Sequence, residues 1–171
     1  MAGSLSPRKE NMILSFDQLS KNNQPLITNN QHLVLVGGCF DILHTGHIEF
    51  LRKAKEKGTA LVVLLESDTS IHKKKGPHRP VNSQNDRASV LEGLRSVDIV
   101  VLLPETTEEK NYYEVTKLLK PVIIATTTGD PHRDQKEKCA QAVNAQVIDV
   151  ILPIADKSSS RIAQLLANEE V

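Results

Sequence analysis

The chain has 171 residues, enough for one domain with a real core, and its 21 basic and 21 acidic residues cancel to a formal net charge of zero. That balance lacks the basic excess of a general nucleic-acid binder. With no Trp, two Tyr and three Phe, a base-stacking platform for single strands is excluded as well.

Residues 1–11 are polar and carry Gly, Ser, Pro and charges, which predicts disorder. SFDQLSKN, residues 15–22, opens with the S-x-x-Q form of a capping box and predicts a short helix; NNQPLITNNQ then reads as a loop. Residues 1–30 are therefore expected to form an N-terminal extension and 31–171 the domain. Short apolar, β-branched runs follow at 33–36, 60–65, 98–103, 122–125 and 147–151. Each is apolar on consecutive positions, as strands buried on both faces are.

Helical patterns alternate with these runs. GHIEFLRKAKEKG puts Ile48, Leu51 and Ala54 on one face and stops at Gly58. SQNDRASVLEGLRS does the same with Ala88, Leu91 and Leu94 behind a cap at Asn82 or Ser83. EEKNYYEVTKLLK ends before Pro121, DQKEKCAQAVNA precedes the fifth run, and SSSRIAQLLANEE closes the chain. Five alternations predict an α/β fold: a Rossmann-like, doubly wound, five-stranded parallel sheet in a three-layer α/β/α arrangement. Its ligand site is expected at the carboxyl ends of the strands, near the switch point. Cys39 and Cys139 make no disulfide framework, and no stretch has the apolar length of a signal peptide or membrane span. The expected setting is cytoplasmic, with no membrane and no nucleic-acid partner.

GGCFDILHTGH, residues 37–47, stands at the end of the first predicted strand. Gly37 and Gly38 could form only a tight strand-to-helix turn. A metal reading recruits Cys39, Asp41, His44 and His47, but the second Cys or His pair of a closed zinc site is missing. Cys39 as a nucleophile, with His44 or His47 as base, is a further reading. An anion site explains more of the residues. Glycines let backbone N–H groups approach phosphate, and a helix starting near Gly46 turns its positive end to the same place. The stretch is neither a dinucleotide fingerprint nor a P-loop.

G-x-F-D-x-x-H-x-G-H is the signature of the cytidylyltransferase-like nucleotidyltransferase superfamily, which this stretch resembles throughout. SD at 67–68, KGPHRPVNSQNDR at 75–87 and VLEGLRSVDIVV after it fit the same pattern. Within that superfamily the chain looks most like the nucleotidyltransferase domain of bacterial heptose-phosphate enzymes, then glycerol-3-phosphate cytidylyltransferase. The resemblance implies an enzyme that joins a nucleoside triphosphate, with Mg²⁺, to a small phosphorylated substrate and releases pyrophosphate; it also implies a homodimer.

It further implies that His44 and His47 hold the triphosphate, and that Gly38, Cys39, Phe40 and Gly46 contact the nucleotide. Asp41 orients the turn, while Asp68 meets a ribose, a substrate hydroxyl or Mg²⁺. Lys75 and Arg79, on an expected mobile basic flap, reach substrate or triphosphate, and Arg87 meets a phosphate. Ser158, Ser159 and Ser160 resemble the S-T-T/S-x-I stretch whose hydroxyls contact the γ-phosphate; alternatively Ser158 only caps the last helix.

Two segments depart from the pattern. TTTGDPHRD from Thr126 replaces a K-G-G-D-Y-like stretch, keeping Gly129 and Asp130 for the nucleotide but putting Thr127 in place of the Lys. ADK at 155–157 replaces an acidic-glycine lead. The expected activity is transfer of AMP or CMP to a phosphorylated sugar or polyol. The alternatives are a catalytically silent nucleotide-binding regulatory module, or an adenylyltransferase acting on a phosphorylated cofactor such as FMN.

Overall fold

Two consecutive apolar runs, Leu33–Gly38 (β2) and Ala60–Leu65 (β3), pair in parallel from Leu33↔Ala60 to Gly38↔Leu65 and form the centre of one sheet. Every residue of β3 is buried, which is why the run shows no polar alternation. A computed structural model describes residues 12–21, 32–105, 108–154 and 158–167. On one side β3 pairs with Ile99–Leu102 (β4); on the other, β2 pairs with Ile123–Thr127 (β5), which pairs with Gln146–Ile151 (β6).

The sheet has six strands among the described residues, one more than the sequence pattern predicts. Met12–Ser15 (β1) adds to the far edge, parallel to β4, giving the order β1-β4-β3-β2-β5-β6. Only four residues long and next to a helix cap, this strand offers just three consecutive apolar residues, Met12, Ile13 and Leu14. Its pairing comes from β4, whose outer edge would otherwise lie bare. Behind it the capping box forms as expected: Gln18 N–H donates to Ser15 Oγ at 3.1 Å and Ser15 N–H to Gln18 Oε1 at 2.8 Å, opening Phe16–Lys21 (α1). The loop expected at 22–31, the disordered tail and the ADK segment lie outside the described residues.

Alternate strand residues feed two cores, as the period of two demands. Val34, Val36, Leu61, Val63 and Leu65 meet Thr45–Lys55 (α2) through Leu51 and Ala54, and Gln84–Glu92 (α4) through Ala88 and Leu91. Leu33, Leu35, Val62, Leu64 and Ile124 meet α1, Glu108–Leu119 (α5) and Arg133–Gln141 (α6) through Leu19, Val115, Cys139 and Ala140. The result is the three-layer, doubly wound arrangement that alternation predicts. Chain direction reverses its walk across the sheet between β2 and β5, so the switch point lies where Gly38 and Thr127 end their strands.

Two local expectations are corrected. Gly37 and Gly38 are the last two residues of β2 rather than a turn, because they pair with Leu64 and Leu65. The basic run after β3 is no flap at its start. His72–Lys75 are the closing turn of Asp68–Lys75 (α3), whose N-terminus is capped by Ser67 Oγ, accepting from Ser70 N–H at 3.2 Å. An acidic first turn and a basic last turn complement the helix dipole.

Candidate active site

The site begins with what two glycines leave open. A Cβ at Gly37 would lie 2.6 Å from Cε2 of Tyr112, so the missing side chain makes room for a tyrosine ring rather than for a turn. A Cβ at Gly38 would press on Phe40 at 3.1 Å. Phe40 itself takes a φ of 43°, a left-handed backbone that an aromatic residue rarely adopts. Its buried ring sits 5.3 Å from that of His47, and this packing holds the strained turn in place.

α2 starts immediately after that turn. His44 is its N-cap residue but makes no side-chain cap; its carbonyl accepts from His47 N–H at 2.9 Å, which leaves the Thr45 and Gly46 N–H groups without an acceptor among the described residues. His44 and His47 lie one turn apart with ring centroids 3.9 Å apart, stacked. Burial, helped by the charges of His44 and Lys75, lowers the pKa of His47 from 6.5 to about 4. The imidazole is neutral near pH 7, and its buried Nδ1 has no hydrogen-bond partner among the described residues. A phosphate would supply both a partner and a reason to protonate.

Two buried charges frame the loop from behind. Asp41 accepts from Arg79 Nε at 2.7 Å, from Val81 N–H and from Asn82 N–H at 2.9 Å, while Asn82 Nδ2 donates to the Asp41 carbonyl. Burial pushes the Asp41 carboxyl upward, but the Asn82 and Val81 amides and the Arg79 guanidinium outweigh it and hold it below its ordinary value. Arg87, at 1% exposure, donates to the carbonyls of Asn82, Cys39 and Glu66 and to Asp68 Oδ1 at 2.6 Å. It thus ties the ends of β2 and β3 to α4.

Two adjoining compartments open over the switch point. One, of about 300 Å³, is lined by Gly38, Cys39, Phe40, His44, Gly46 and His47, with Phe50 and the apolar 151–154 stretch as its far wall. The second, of about 410 Å³, is lined by Cys39, Glu66, Lys74, Lys75, Tyr112, His132 and Gln135. Gly37, Gly38, Cys39, Asp130 and Lys136 border both. Lys75 Nζ donates to Cys39 Sγ at 3.0 Å, which holds its side chain against the strand end that borders the second compartment. At the junction Lys136 donates to Asp130 and, at 2.9 Å, to Thr126 Oγ1. Burial raises the Asp130 carboxyl, but Lys136, Thr126 and the His132 amide prevail and hold it at about 2.

A family model described as cytidylyltransferase-like matches residues 35–164. The chain belongs to the cytidylyltransferase-like family of nucleotidyltransferases. It is 44% identical over 112 residues to the bifunctional protein HldE of Wolinella succinogenes, covering 66% of this chain and 23% of that protein. It is 34% identical over 167 residues to HldE of Pseudomonas fluorescens strain SBW25, covering 96% of this chain and 34% of that one. The chain thus spans about a quarter to a third of these curated relatives. Among solved structures it resembles the lipopolysaccharide core biosynthesis protein of Thermoplasma volcanium, at TM-score 0.57 and 25% identity over 75% of this chain and all of that one. It shares the fold of the pantoate-β-alanine ligase of Francisella tularensis, at TM-score 0.63 and 16% identity, covering 90% of this chain and 72% of that one.

Of the residues that the family signature points to, the structure gathers Gly38, Cys39, Phe40, Gly46, His44, His47, Lys75 and Asp130 around the cleft. It does not bring Asp41, Asp68, Arg79 or Arg87 to the lining. Asp68 accepts from Gln84 N–H and Arg87, and Arg79, at 7% exposure, is spent on Asp41. Gly129, at φ 77°, makes the turn that presents Asp130. Ser158 caps Ser159–Ala167 (α7) by accepting from Arg161 N–H at 3.1 Å, and Ser159, buried, donates to the Ile42 carbonyl; Ser160 is exposed. The sequence reading missed Lys136, Tyr112, Glu66 and the apolar wall. Lys136 sits in an ordinary charged helix, and only the approach of α6 to β5 gives it a role.

Proposed function

We propose that this chain transfers a nucleotidyl group, AMP or CMP, from a nucleoside triphosphate to a small phosphorylated sugar or polyol. The observation that carries the reading is the pair of compartments meeting over the ends of β2 and β5, the first of them reaching the α2 N-terminus, with cations at the junction and in the second compartment. The compartment between the histidines and the 151–154 wall suits a base, with its phosphates over Gly46 and the helix end. The second suits a phosphorylated polyol: Lys75 for its phosphate, Glu66 and Gln135 for hydroxyls. A nucleotidyltransferase acting on a sugar phosphate also fits the HldE relatives.

In the reaction a phosphate oxygen of the acceptor attacks the α-phosphorus. A P–O bond forms there as the bond to the bridging α–β oxygen breaks, and pyrophosphate leaves with that electron pair. The nucleophile is already anionic, so no general base is needed. Placement and charge stabilisation do the chemistry. His44 and His47 hold the triphosphate from the helix end, the second gaining a proton as phosphate reaches it.

Mg²⁺ is expected with the triphosphate. No group of three Asp, Glu, His or Cys side chains among the described residues could hold a metal. We place the ion on phosphate oxygens and water, where it would neutralise the triphosphate. The setting proposed is the cytoplasm, where triphosphates are made, and the assembly a homodimer; among the described residues no helix is long and apolar enough to cross a membrane.

The test is calorimetric titration of ATP, CTP, GTP and UTP with Mg²⁺, followed by pyrophosphate release with glycerol 3-phosphate, glucose 1-phosphate and mannose 1-phosphate. Saturable binding of one triphosphate and its acceptor-dependent cleavage support the reading. Tight binding without cleavage under any acceptor would favour a silent nucleotide-binding module.

A further inference from the structure

Lys136 reaches the cleft from a helix whose sequence marks nothing, and it borders both compartments. Its side chain is only 12% exposed, an unusual burial for a lysine. Two of its three ammonium donors go to Thr126 Oγ1 and Asp130; the third has no partner among the described residues. Asp130, itself bonded to Thr126 Oγ1 at 2.5 Å and to His132 N–H at 2.8 Å, fixes the ammonium at the end of β5. Among the described residues it is the one cation that lines both compartments; Lys74 and Lys75 line the second alone.

Transfer between two phosphorylated substrates must bring two anions together at that border, and like charges resist the approach. A fixed cation there acts most strongly when the phosphorus is bonded to both, since negative charge is then concentrated on its equatorial oxygens. We infer that Lys136 is the catalytic cation of this transfer, its third N–H donating to a non-bridging oxygen of the α-phosphorus as the acceptor attacks. Asp130 and Thr126 are positioning residues that aim it. The assignment rests on the function proposed above and names a residue outside the signature motifs.

The experiment compares wild type with Lys136→Met, Lys136→Arg and the double variant Lys136→Gln/Asp130→Asn, in the full chain. The readouts are pyrophosphate release with ATP or CTP and the three acceptors named above, and triphosphate Kd by calorimetry. Lys136→Met is expected to lower kcat about 100-fold or more, with triphosphate Kd changed by no more than about threefold. Lys136→Arg should retain part of the rate.

The double variant removes the danger of a carboxylate left unpaired in Lys136→Met, since it keeps a neutral pair in the same place. It should be as slow as Lys136→Met. Recovery of kcat in the double variant would show that Lys136 serves only to neutralise Asp130, and would overturn the assignment. So would a kcat near wild type in Lys136→Met, or a loss confined to triphosphate affinity. If wild type transfers to no acceptor, the proposed function itself falls and the assignment with it; an active wild type whose variants match it overturns the assignment alone.

Discussion

Lowering the pH from 7 to 5 should unsettle the folded protein through His47. Burial, with the charges of His44 and Lys75, takes its pKa from 6.5 to about 4 in the fold. The unfolded chain keeps the ordinary value, so between those two values it binds a proton that the folded chain refuses. A depressed folded pKa means the stabilising contribution is intact above about pH 6.5 and is lost as pH falls towards 4. Applying the linkage relation to a shift of that size gives a loss of about 2 kcal/mol between pH 7 and pH 5.

Other groups titrate in this range, so the quantity to measure is a difference of differences. Urea unfolding of wild type and His47→Asn at both pH values supplies it, because Asn is polar but does not titrate. Wild type should lose about 2 kcal/mol more than the variant. Equal losses would mean that His47 titrates normally in the folded chain, and that the cleft does not keep it neutral until phosphate arrives. The same linkage predicts proton uptake when triphosphate binds near pH 6, visible as a buffer-dependent binding enthalpy and absent in His47→Asn.

Three further variants probe the frame of the site. Arg87→Leu should lower the unfolding free energy by about 3 kcal/mol or more, since it strips partners from three part-buried carbonyls and Asp68; a denaturant curve unchanged from wild type would count against its structural role. Asp41→Ala leaves Arg79 buried without its carboxylate and frees two amides. Its Tm should fall by about 10 °C, taking ~3–5 kcal/mol at ~2–4 °C per kcal/mol for a chain of this size. Tyr112→Phe runs the other way. The buried Tyr112 hydroxyl has no hydrogen-bond partner among the described residues, and burial raises its pKa. Removing it should stabilise the ligand-free protein by about 1 kcal/mol, read as a Tm higher by about 3 °C; a lower Tm would show that the hydroxyl has a partner.

Periodicity made five of the strands legible, and S-x-x-Q made α1 so, because burial on both faces and capping leave marks within a few residues. The signature motif carried the family for the same reason: its histidines, Gly46 and the helix start act within one turn of each other. Beyond that span the sequence was mute. Nothing in MILS marks an edge strand, since its partner at Ile99–Leu102 lies more than eighty residues on. The basic residues of 72–87 read alike as phosphate ligands, yet the fold divides them. Lys75 faces the cleft, while Arg79 and Arg87 turn inward to Asp41 and to strand-end carbonyls.

Residue type and spacing thus determined the element pattern, the place of the α2 start behind the glycine-rich strand end, and the family. Tertiary structure alone decided which charges are free to meet a ligand. That choice depends on which backbone groups each cation must satisfy once the chain is closed, as Lys136 at the end of β5 and Arg87 behind β2 show from opposite sides.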